Sequence, residues 1–80
     1  MITADKLKTL TTMTPRALTQ VVQASGYKRD RVNECRFLGI TNGGQFCYKI
    51  VYPDQDAKNG MATTKVYVWE DHNGELLADY

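Results

Sequence analysis

The chain has little of what most small enzymes depend on. Its 80 residues hold one histidine, two cysteines and two prolines. A lone His72 with Cys35 and Cys47 far apart in sequence does not give the close ligand pairs of a zinc site, so no metal is expected. No Gly-rich phosphate loop, paired-His motif or nucleophile elbow occurs, and no cofactor is expected. Asp71 and His72 are adjacent, which does not set up a general-base relay. No apolar run approaches the roughly 20 residues of a bilayer helix, which argues against a membrane span. Met1 to Lys8 shows no apolar stretch of signal-peptide length, so a cytoplasmic place is expected, with both cysteines as reduced, buried thiols. With 42% hydrophobic and 24% charged residues, the composition fits one small domain spanning residues 1–80 with a thin core. A non-enzymatic binding or regulatory module is the expectation.

Net charge is also scarce, at +1, yet this is a remainder. Through Lys49, eight basic residues stand against three acids, a balance of +5. From Ile50 onward, two basic residues stand against six acids, a balance of −4. Such a split points to a polyanion-facing front half and a differently used back half.

Turn signals divide the chain in the same way. Three Asn-Gly pairs (Asn42-Gly43, Asn59-Gly60, Asn73-Gly74) lie in the second half and predict hairpins, because both residue types tolerate positive φ. The first half reads as helical. Thr3 caps a helix to about Thr11, with Leu7 and Leu10 on one face. Thr14 and Pro15 start a second, in which Leu18, Val21 and Val22 form a stripe; Gly26 ends it. Residues 28–38 carry two patterns. Val32, Cys35 and Leu38 recur at helical spacing, whereas Cys35 and Phe37 alternate with Arg36 and Leu38 as in a strand. The helical reading is favoured. Phe46, Tyr48, Ile50 and Tyr52 then share one face of a strand that Pro53 ends. Thr63 to Glu70 is a second strand with Val66 and Val68 opposite Tyr67 and Trp69, and a hairpin leads into residues 75–80. The fold class is therefore α+β, a helical N-terminal unit followed by a small antiparallel sheet.

Residues 19–49 resemble a helix-turn-helix or winged-helix DNA-binding domain. Val21 and Val22 would lie late in the first helix, Gly26 in the turn with Tyr27 as its apolar plug, and Val32 and Cys35 on the inner face of the second helix. The hairpin through Asn42-Gly43-Gly44 to Lys49 would be the wing. The resemblance implies a regulator that binds double-stranded DNA through a basic helix at 28–38. Lys28, Arg29, Arg31, Asn33, Arg36 and Lys49 would meet bases and phosphates. It also allows a homodimer on a two-fold site.

A competing reading makes residues 31–41 a strand, with one or two helices on a four-stranded sheet. The chain would then be a protein-binding inhibitor or adaptor, of the kind found as phage or mobile-element accessories. Tyr52, Tyr67 and Trp69 would form the contact. Basic neighbours around such rings would instead indicate stacking on single-stranded nucleic acid. The sequence neighbours are the acids Asp54, Asp56, Glu70 and Asp71, which favours a protein partner.

Overall fold

A computed structural model describes residues 3–26 and 31–80. Two helices precede a four-stranded sheet: α1 (Ala4–Thr11), α2 (Pro15–Ala24), β1 (Glu34–Ile40), β2 (Phe46–Pro53), β3 (Met61–Glu70) and β4 (Leu76–Asp79). The helix starts follow from local chemistry. Thr3 Oγ1 accepts from the Lys6 amide at 3.2 Å. Thr14 Oγ1 accepts from the Ala17 amide at 3.2 Å, with Pro15 in the first turn where its missing N–H is harmless. The α1 helix stops at its threonines. Thr12 Oγ1 donates back to the Lys8 carbonyl at 2.7 Å, and such back-bonding competes with continuation of the helix. Gly26 takes a φ of +89° directly after the Ser25 cap of α2, the left-handed position that glycine fills without strain.

The sheet is an antiparallel meander in the order β1-β2-β3-β4. Here the helix expected over residues 28–38 is corrected. Residues 34–40 form β1, a strand paired along its length with β2, and residues 31–33 lead into it without helix. Residues 27–30, including the Tyr27 expected as the apolar plug of the turn, lie outside the described part. Two facts decide for the strand. Cys35 and Phe37 alternate inward and find partners: the Cys35 thiol donates to the Met13 carbonyl at 3.2 Å. The Phe37 ring lies 5.9 Å from Phe46 and 5.7 Å from Tyr48. The register then shifts between Phe37 and Gly39, with Gly39 at a φ of +150°, which no α-helix accommodates. The lead-in is also fastened. Val32 donates its amide to Thr19 Oγ1 at 2.9 Å, and Asn33 donates its amide to the Val51 carbonyl at 2.8 Å.

The hairpin turns differ in detail from the expectation. All three asparagines keep negative φ. Positive φ falls on one glycine per turn (Gly44, Gly60, Gly74). The turns are closed by side chains too: Asp71 Oδ1 accepts from the amides of Asn73 and Glu75, both at 2.9 Å.

The core lies between the helices and one face of the sheet. Leu10, Leu18 and Val22 from the helices meet Phe46, Tyr48, Ile50, Tyr52, Val66 and Val68 from β2 and β3. Leu7, expected beside Leu10, is 43% exposed. Tyr48 is buried, and its hydroxyl has no hydrogen-bond partner among the described residues. Burial, and secondarily the charge of a Cys35 thiolate, pushes its phenol from the ordinary 10.0 up to about 12. The folded state thus favours the neutral phenol. Its contribution is complete below about pH 10 and is lost as pH rises towards about 12. Tyr48→Phe removes a buried, unpartnered polar group. We expect it to leave stability unchanged or raise it by about 1 kcal/mol at pH 7 and to flatten the alkaline loss. Urea unfolding at pH 7 and pH 11 checks this. A loss of stability at pH 7 would mean that the hydroxyl is satisfied.

Candidate functional site

The helices cover one face of the sheet and leave the other open. Strand alternation fixes which side chains stand there. On β3, Val66 and Val68 are fully buried towards the helices, so Lys65, Tyr67 and Trp69 stand on the open face. On β2 that face takes Cys47, Lys49 and Val51, and on β1 it takes Glu34 and Arg36.

Register then aligns these residues across the sheet. Arg36 pairs with Lys49, and Lys49 pairs with Lys65. Three cations from three strands therefore form one row, and all three are exposed. Neighbours in such a row have Cβ atoms about 5 Å apart, where like charges destabilise a sheet. Among the described residues, none of the three makes an ion pair. The next row holds Cys47, Tyr67 and Asp79, and the one beyond it holds Trp69 opposite Leu77. Tyr67 and Trp69 are half-buried, and Cys47 is 9% exposed. Glu34, paired with Val51, and Asp79 put carboxylates on either side of the cationic row.

The structure sorts the expected site residues. Arg36 and Lys49 are brought together. Arg31 is not with them; it lines an open groove of about 480 Å³ with Pro15, Arg16, Thr19, Gln20 and Val32. Asn33 is half-buried, and its Nδ2 donates to the Met61 sulfur at 3.3 Å; it is not presented on a convex helix. Lys28 and Arg29 lie outside the described residues. Of the expected contact aromatics, Tyr67 and Trp69 stand on the open face. Tyr52 does not: it is 7% exposed and belongs to the core, because its alternation follows Tyr48 and Ile50.

The acids that favoured a protein partner are spent elsewhere. Asp54 and Asp71 accept amides within turns, Asp56 lies in the β2–β3 turn, and Glu70 alternates to the helix side. The sequence reading missed Lys65. Its signal was parity: it alternates with Tyr67 and Trp69 and so shares their face. Only the register with Lys49 shows the row.

The two cysteines stand apart. Both are free; Cys47 is buried as expected, Cys35 is only half-buried, and alternation puts them on opposite faces of the sheet. Burial pushes the Cys35 thiol up from its ordinary value, which disfavours the reactive thiolate. His72 is exposed in the β3–β4 turn. Comparison with protein-family models, curated proteins and solved structures finds no match for the chain.

Proposed function

We propose that the chain is a non-enzymatic nucleic-acid-binding module that holds its ligand on the open face of the sheet. The observation that carries this reading is the row Arg36–Lys49–Lys65. Three adjacent cations that find no carboxylate partner among the described residues repel one another in the free protein and become favourable when phosphates lie along them. The row takes the place of the expected basic helix as the contact for phosphate, and it joins residues from both the basic and the acidic halves of the chain. Tyr67 and Trp69 on the same face add apolar area beside the charges.

Binding of a labelled oligonucleotide across a salt series tests the proposal. Neutralising three phosphates gives a slope of log K against log salt of about −2 on a single strand. Absence of binding at 50 mM salt would contradict it.

One observation supports the second reading, a protein partner. Leu38 and Ile40 are 46% and 53% exposed on the edge strand β1, where unpaired backbone groups can accept another strand. Leu38→Ser with Ile40→Ser separates the two: the change removes an apolar edge contact without altering the charge of the cationic row, so protein capture should fall while oligonucleotide binding holds.

A further inference from the structure

We infer that the nucleic acid taken by the open face is a single strand rather than a duplex, an inference that rests on the reading above. Two features of the face carry it.

The first is shape. Reading a duplex requires an element that enters the major groove, about 12 Å wide, such as a helix or a two-stranded ribbon. Both helices pack on the opposite face, in the core with Phe46 and Val68. What remains is a four-stranded surface, with outer strand axes roughly 14 Å apart before side chains are counted. That surface meets a duplex only along its phosphates, whereas a single strand can lie across it.

The second is the placement of aromatic rings against cations. Lys65, Tyr67 and Trp69 occupy alternate positions of β3, so successive side chains on this face stand about 6.6 Å apart. Tyr67 lies one row from the Arg36–Lys49–Lys65 line and Trp69 two rows away. Phosphates held along the cations leave attached bases to reach the rings. Every unpaired base has a π-face to offer, whereas bases within a duplex are already stacked on each other. In the same row as Tyr67, Asp79 repels a second line of phosphate among the rings. The backbone is thereby confined to the cationic row, with the bases towards Tyr67 and Trp69.

The test uses the full chain, a labelled 12-nucleotide oligothymidylate and a 12-base-pair duplex at equal salt. The expected result is at least 10-fold tighter binding of the single strand, with quenching of the fluorescence of Trp69, the chain's one tryptophan. Trp69→Leu should weaken single-strand binding about 10-fold. Trp69→Phe, which keeps an aromatic face, should restore most of it. Circular dichroism on each variant establishes that the sheet is intact, and Tyr67→Leu serves as the second variant if Trp69→Leu does not fold. Equal or tighter binding of the duplex would overturn the single-strand inference and leave the nucleic-acid reading standing. So would single-strand binding indifferent to both aromatic replacements. Failure to bind either oligonucleotide would overturn the nucleic-acid reading itself.

Discussion

Replacing Arg36, Lys49 and Lys65 together by alanine is expected to weaken oligonucleotide binding on the order of 100-fold at low salt and to remove most of its salt dependence. The three side chains project from different strands, and the register of β2 with both neighbours makes them adjacent. A polyanion held by this row loses its principal contacts at once. The fold responds in the opposite sense. Removing like charges from directly opposed positions relieves repulsion, so the melting temperature should hold or rise slightly. Loss of binding with retained stability distinguishes a ligand-holding row from a structural one. Anisotropy titration and thermal unfolding of the same variant measure both. Unchanged affinity in the triple variant would move the site off this face.

The largest effect on stability is expected at Phe46. Its ring is 1% exposed, touches Phe37 and lies in the cluster with Leu18, Val22 and Val68. Phe46→Ala removes the ring and leaves a cavity, at a cost of about 3–5 kcal/mol. A domain of this size has roughly 4–12 kcal/mol in total. The variant should therefore melt at least about 12 °C lower, and lie near the limit of folding. Urea unfolding gives the difference directly. A loss below 1 kcal/mol would mean that the core is not centred where the sheet meets α2.

What could be read in the sequence was what local chemistry decides. Thr3, Thr14 with Pro15, and Gly26 set helix ends locally: both observed helices begin at the threonine caps, and α2 ends just before Gly26. The alternation of residues 46–52 and 63–70 marked two strands, since one face had to be apolar against the helices. Residues 28–38 were harder because two periodicities compete there. Val32, Cys35 and Leu38 fit a helix, and nothing local outweighs them. The strand wins through distant partners: Met13 for the Cys35 thiol, Thr19 for the Val32 amide, and the β2 ladder. The candidate site was hidden for the same reason. Lys65 has Thr64 and Val66 as chain neighbours, and acids cluster around Trp69 in sequence. Pairing replaces those neighbours with Lys49 and, beyond it, Arg36, while the turns take up Asp54 and Asp71. A strand's surface is defined across the sheet, so the chemistry of this face is set by register and not by adjacency along the chain.

The central claim is that ligand lies on the open face. It is tested most directly by titrating oligothymidylate into isotopically labelled protein and following every amide and the Trp69 indole by nuclear magnetic resonance. The predicted result is a set of shifts confined to Arg36, Lys49, Lys65, Tyr67 and Trp69 with their immediate strand neighbours, while Leu10, Leu18 and Val22 stay fixed. Shifts centred instead on the groove of Arg16, Gln20 and Arg31, with the open face silent, would contradict it.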